Sequence, residues 1–231
     1  MTTDSRLIVA RDFATLEQAT AVAGTLDPGS CRLKVGHQLY TAAGPEAVSR
    51  LTAMGFEIFL DLKYHDIPNT VAQACRAAAD LGVWMVNVHA AGGPAMLEAA
   101  AAAVGQDGPK LIAVTLLTSI DSQQYEKIGF SGGLSERVTG FASLAQSCGL
   151  DGVVCSGQEA GMLRHHCGEY FLLVTPGIRP VEADTADQQR VMTPAEAVAA
   201  GSDYLVIGRP ITQAEDPALA VATIQAELSR C

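Results

Sequence analysis

Short apolar, β-branched runs alternate with longer alanine- and leucine-rich runs along the whole chain. Eight of the short runs have the length and composition of buried strands: Leu7–Ala10, Arg32–Val35, Glu57–Leu62, Trp84–His89, Leu111–Leu116, Gly152–Cys155, Phe171–Thr175 and Tyr204–Ile207. The longer runs carry helical spacing near Thr15–Leu26, Pro45–Met54, Asn69–Leu81, Pro94–Val104, Ser135–Cys148, Gln158–His166, Pro194–Ala200 and Pro217–Ser229. Pro45, Pro94, Pro194 and Pro217 fit first turns, where the missing N–H has no intrahelical partner anyway. Gly55, Gly82, Gly105, Gly149 and Gly201 fit stops, and Thr193 with Glu196 has capping-box spacing. Strict strand–helix alternation predicts an α/β protein built as a single (β/α)8 TIM barrel. A doubly wound open sheet is the alternative, and it requires some strands to be misassigned. No linker or composition break divides the chain, so residues 1–231 read as one barrel domain.

In such a barrel the functional face lies where strands end and βα loops begin. Those ends carry Asp12, Lys34, Asp61 with Lys63, His89, Thr118, Arg179 and Gly208-Arg209, while the opposite ends look less consistently charged. The third end is the most informative. Asp61-Leu62-Lys63-Tyr64-His65-Asp66 sets charges of alternating sign directly after the apolar run Phe56-Glu57-Ile58-Phe59-Leu60. A charge taken out of water needs a partner. Residues two apart on a strand share a face, which turns Phe59, Asp61 and Lys63 inward and Leu60 and Leu62 toward the helices. The same rule faces Ile8, Ala10 and Asp12 inward, and likewise Arg32, Lys34 and Gly36. Asp12, Lys34, Asp61 and Lys63 can therefore meet at the barrel mouth. The set suits proton chemistry, and it equally suits a salt-bridge cluster closing the barrel end. The residues alone leave both readings open.

The loops after strands seven and eight form the recurrent phosphate site of this fold. Here they read Thr175-Pro176-Gly177-Ile178-Arg179-Pro180 and Ile207-Gly208-Arg209-Pro210. Glycine permits close backbone approach, and the arginine fork matches phosphate oxygens. One Gly–Arg pair is common in turns; two at the two expected loops are a more specific signal. The polar stretch 181–190 between them has the composition of a solvated loop and the position of a lid.

Charge and cysteine usage narrow the classes. A net charge of −10 argues against a general nucleic-acid surface, but not against a small anionic substrate held by local cations. No apolar run approaches a membrane span and the first residues lack a signal-peptide pattern, which predicts a cytoplasmic protein without membrane partners. None of the six cysteines forms a CxxC pair, and His37, His65, His89, His165 and His166 lack ligand spacing, so no metal site is expected. Cys155, at a strand end, is a candidate reactive thiol, although an inert buried thiol is the stronger reading.

The ten residues Asp61-Leu62-Lys63-Tyr64-His65-Asp66-Ile67-Pro68-Asn69-Thr70 resemble the signature of the orotidine 5′-monophosphate decarboxylase family. Arg32-Leu33-Lys34-Val35-Gly36, Val83-Trp84-Met85-Val86-Asn87-Val88-His89-Ala90, Asp151-Gly152-Val153-Val154-Cys155-Ser156 and both arginine loops resemble the bacterial, monofunctional form, in order over nearly the whole chain. The Asp-x-Lys-x-x-Asp core is shared with related sugar-phosphate decarboxylases and synthases. The continuation Ile67–Thr70, with the arginine loops downstream, is more specific. One departure is Val9-Ala10-Arg11-Asp12, where the family usually has a Val-Ala-Leu-Asp-like run.

The resemblance implies decarboxylation of orotidine 5′-monophosphate to uridine 5′-monophosphate and CO2, the last step of de novo pyrimidine biosynthesis, with no metal or organic cofactor. It implies that Lys63 gives a proton to C6 of the pyrimidine, with Asp61 near the departing carboxylate. Lys34 and Asp12 would hold ribose hydroxyls. In an implied homodimer, Asp66 and Thr70 would reach into the neighbour's site. Thr118, with Ser119, would address the pyrimidine, and Arg179, Gln188, Gly208 and Arg209 the phosphate. Two other functions remain in view. A metal-dependent sugar-phosphate lyase on the same barrel would have an acidic ligand on the second strand, where this chain has Lys34. A nucleotide sensor without catalysis would not need the full set of Asp61, Lys63 and Asp66.

Overall fold

In a computed structural model, which describes residues 5–11, 13–180 and 192–229, eight parallel strands close into a barrel in sequence order. They are β1 (Leu7–Arg11), β2 (Arg32–Gly36), β3 (Ile58–Tyr64), β4 (Met85–His89), β5 (Lys110–Val114), β6 (Gly152–Val154), β7 (Leu172–Pro176) and β8 (Tyr204–Ile207). The helices that follow them are α1 (Leu16–Ala23), α2 (His37–Ala43), α3 (Pro45–Ala53), α4 (Pro68–Asp80), α5 (Pro94–Val104), α6 (Ser122–Lys127), α7 (Leu134–Ser147), α8 (Gly157–Cys167), α9 (Pro194–Ala199), α10 (Arg209–Thr212) and α11 (Pro217–Leu228). Pairing of β1 with β8 closes the ring and excludes the open-sheet alternative.

Alternation along the strands makes two cores. Ile8, Ala10, Phe59, Met85, Ile112, Val174 and Val206 fill the barrel interior. The residues between them, such as Leu7, Val9, Leu33, Val35, Leu60 and Val86, pack against alanine-rich helix faces. Gly152 is required by backbone proximity: a Cβ there would lie 2.2 Å from the carbonyl oxygen of Leu172 on the neighbouring strand. Proline and capping signals at Pro45, Pro94, Thr193 and Pro217 sit where the sequence predicts them.

The differences have local causes. Helices α2, α6 and α10 are short and lack an apolar stripe long enough to register as periodicity. Of the three only α6 has a side-chain cap, Asp121 accepting from the Gln124 N–H at 2.8 Å. Strand β5 starts one residue earlier and stops two residues earlier than its apolar pattern, and β3 continues two residues beyond Leu62. The opposite barrel end is also more charged than expected. Arg32 pairs with Glu57 at 2.8 Å and lies over the Trp84 ring at 4.1 Å. Asp151 and Asp203 there accept backbone N–H groups from Leu111 and Leu173, each at 2.7 Å. Those charges are consumed in closing the barrel end.

Candidate active site

The barrel mouth opens into a cavity of about 260 Å³. Ala10, Phe59, Val154, Val174 and Val206, from the interior core and the residues packed on it, give it an apolar base together with the buried Val114. Its polar lining comes from Lys34, Asp61, Lys63, Thr118, Arg179 and Arg209, with the Gly177 and Gly208 backbones. Five separate strands or strand-end loops thus deliver the polar groups of one convergent site, as the barrel geometry allows.

Asp61 is its electrostatic centre. Lys63 Nζ donates to Asp61 Oδ1 at 2.7 Å, and Lys34 Nζ lies 3.1 Å from Oδ2. Burial alone would push the Asp61 carboxyl up. The Lys34 and Lys63 charges, with hydrogen bonds from Lys63 and Asn87, overcome that and bring it down to about 2. Both oxygens are thereby committed, and the carboxylate stays ionised throughout the neutral range.

Lys63 reaches this position through an unusual backbone. Its φ is +49°, the only positive value at a non-glycine residue among the described residues. For an L-residue the left-handed region is disfavoured by about 1–2 kcal/mol. The cause is a bulge: β3 advances from Leu60 to Tyr64 while β4 advances only from Val86 to Val88. An even number of extra residues keeps Leu60 and Tyr64 on the same helix-facing side, while Asp61 and Lys63 both line the cavity. The bulge leaves the Lys63 N–H out of the strand ladder. The Asn87 side-chain oxygen accepts it at 2.8 Å, and the Asn87 Nδ2 donates to Asp61 Oδ1 at 2.7 Å. Asn87 is 0% exposed. The sequence pattern gives it no role, although an amide inside the apolar strand Met85–His89 is itself a signal.

The arginine loops converge as expected. Arg179 is buried and donates to the Ile178 carbonyl at 3.0 Å. Burial, then the like charge of Arg209, lowers its pKa, so the two guanidiniums share one region of the cavity. A pair of cations facing a common space is stabilised by an anion between them. Gly177 has φ +79°, which favours glycine, and a Cβ on Gly208 would contact Ala10 Cβ at 3.4 Å.

Other expected residues stand apart. Asp66 and Thr70 are exposed at the start of α4 and do not line the cavity, which is formed by one chain. Asp66 Oδ1 accepts the Ile67 N–H at 2.6 Å, and Ile67 beside it is 67% exposed. Ser119 is exposed and outside the lining. Asp12, Gln188 and the stretch 181–190 lie outside the described residues. His89 is half-buried with its ring 5.5 Å from that of His65; burial first, then the His65 and Lys63 charges, lowers its pKa. It too lies outside the cavity lining. Cys155 is fully buried and burial pushes its thiol up, which makes it inert.

Residues 5–224 match the family described as "Orotidine 5'-phosphate decarboxylase / HUMPS family". The chain belongs to that family. It is 62% identical over 226 residues to the orotidine 5′-phosphate decarboxylase of Halorhodospira halophila, covering 97% of this chain and 96% of the relative. It is 58% identical over 227 residues to that of Nitrosococcus oceani, covering 97% and 98%. The crystal structure of orotidine 5′-phosphate decarboxylase from Lactobacillus acidophilus superposes with a TM-score of 0.86 at 39% identity, over 96% of this chain and 97% of that one. The class of activity is decarboxylation, a carboxy-lyase reaction of pyrimidine biosynthesis. Among the described residues no helix is long and apolar enough to cross a membrane, and no cluster of three or more His, Cys, Asp or Glu could hold a metal.

Proposed function

We propose that this chain converts orotidine 5′-monophosphate to uridine 5′-monophosphate and CO2 with its own side chains, Lys63 giving the proton that replaces CO2 at C6. The observation that carries the reading is the Lys63 ammonium, 2.7 Å from an ionised Asp61, in the cavity that Arg179 and Arg209 also line.

The bond from C6 to the carboxylate breaks with both electrons left on C6. The resulting carbanion is of vinyl type and poorly delocalised, so the site must meet it with a fixed charge. Lys63 is that charge, and it then transfers a proton to C6 while CO2 departs. Solvent restores the ammonium. Asp61 holds Lys63 in place and sets a like charge near the substrate carboxylate before the bond breaks. Lys34 neutralises the other Asp61 oxygen, and with Asp12 it takes the ribose hydroxyls. Thr118 addresses the pyrimidine. Arg179, Arg209, the Gly208 backbone and Gln188 take the phosphate, whose binding energy supports the distant bond-breaking step.

Asp66, just before α4, and Thr70, in its first turn, are exposed where a second copy can be met. In a homodimer Asp66 of the partner subunit joins the charged set beside Lys63. The metal-dependent lyase alternative fits poorly, because Lys34 beside Asp61 opposes a divalent cation on that carboxylate. The test is to mix purified protein with orotidine 5′-monophosphate in EDTA and follow loss of substrate absorbance. Turnover under those conditions is expected. No turnover, or turnover only after a metal is added, would overturn the reading.

A further inference from the structure

The geometry points to Asn87 as a positioning residue for the decarboxylation proposed above: one carboxamide holds both the left-handed backbone of Lys63 and the carboxylate of Asp61. Three observations converge on it. Asn87 lies on β4, two residues from the interior Met85, so its side chain faces the barrel axis. It is fully buried, where an amide must be satisfied. Both of its polar ends are used, and each by a group of fixed character. The Lys63 N–H can only donate, so it faces Oδ1 at 2.8 Å; the ionised Asp61 can only accept, so it faces Nδ2 at 2.7 Å. The partners therefore dictate the amide orientation.

The bulge in β3 gives this bridge its consequence. Lys63 at φ +49° has left the ladder with β4, and a residue in that conformation persists only where its surroundings hold it. Asn87 replaces the missing ladder bond with a side-chain bond from the same neighbouring strand. Its second bond meets the Asp61 oxygen that also accepts from Lys63 Nζ. Backbone, carboxylate and ammonium are thereby tied into one closed set, in which no member turns without breaking another's bond. Asn87 does not line the cavity, so it acts through Lys63 and Asp61 and leaves substrate binding to other groups.

The test compares wild type with Asn87→Ala and with the near-isosteric Asn87→Asp, which keeps an acceptor for the Lys63 N–H but removes the donor to Asp61. Kinetics are normalised to the folded fraction from thermal unfolding. In Asn87→Ala, kcat on orotidine 5′-monophosphate should fall roughly 100-fold, the scale of an ångström-sized misplacement, while KM stays within about threefold. Asn87→Asp should show the same split. Independently of turnover, amide exchange at Lys63, read by NMR, should quicken at least roughly tenfold in Asn87→Ala. Unchanged kcat with only a lower Tm, a rise confined to KM, or unchanged exchange at Lys63 would overturn the proposal. So would failure of both variants to fold, which would make Asn87 a folding residue. A wild type inactive on the nucleotide would sink the decarboxylase reading alone, with the exchange measurement still deciding Asn87.

Discussion

Replacing Asp61 with asparagine should weaken the folded state above pH 4, and the loss should disappear in acid. The substitution keeps the shape and removes the charge that Lys34 and Lys63 face at 3.1 and 2.7 Å. In the native protein the carboxyl is held at about 2 against an ordinary 3.8, a preference for the ionised form on the order of 2 kcal/mol. Because the folded value is depressed, that stabilisation is complete above the unfolded value of 3.8 and fades as pH falls toward 2. Both ammonium groups lose their attraction to this carboxylate, which adds to the loss. Urea unfolding of wild type and Asp61→Asn at pH 7, 5, 4 and 3 reads the difference directly. We expect a gap of about 2 kcal/mol or more at pH 7 and 5 that narrows between pH 4 and 3. A gap independent of pH, or an asparagine variant more stable at pH 7, would refute the claim that Asp61 is held ionised by its lysines.

Two further outcomes address the substrate and the assembly. Arg209→Ala should lower kcat/KM on orotidine 5′-monophosphate by roughly two to three orders of magnitude, the worth of a charge-assisted phosphate contact, and leave the slow turnover of phosphate-free orotidine unchanged; equal losses on both would remove Arg209 from the phosphate site. If sites are shared across a homodimer, mixing inactive Lys63→Ala with inactive Asp66→Ala and letting subunits exchange should restore roughly a quarter of the native sites, because half the dimers are mixed and each has one intact site. No recovery on mixing would place Asp66 outside the neighbour's chemistry.

Much of this site is legible in the sequence because a strand has a period of two. Lys34 and Asp61 sit where alternation places them, and the two arginine loops converge because they follow adjacent strands β7 and β8. Lys63 also faces the cavity, but by a route that alternation does not describe. The bulge that inserts residues between Leu60 and Tyr64 is a property of pairing with β4, and nothing local to the motif announces it. Asn87 was hidden for the same reason: its partners are 24 and 26 residues away, and only the closed barrel brings them together. The lower barrel end misled in the opposite direction. Arg32 shares the inward face of Lys34, yet it lies at the other end of the strand and is stacked on Trp84 and paired with Glu57. Periodicity gives the face of a residue, whereas its chemistry depends on which layer of the barrel it occupies.

The most direct test of the central claim is a parallel assay of wild type and Lys63→Ala on orotidine 5′-monophosphate, after confirming that both are folded and bind uridine 5′-monophosphate. Loss of the ammonium removes both the charge that meets the carbanion and the proton that quenches it. We expect wild type to turn over and the variant to be slower by roughly three orders of magnitude or more. A folded, nucleotide-binding Lys63→Ala that decarboxylates within about tenfold of wild type would contradict the account.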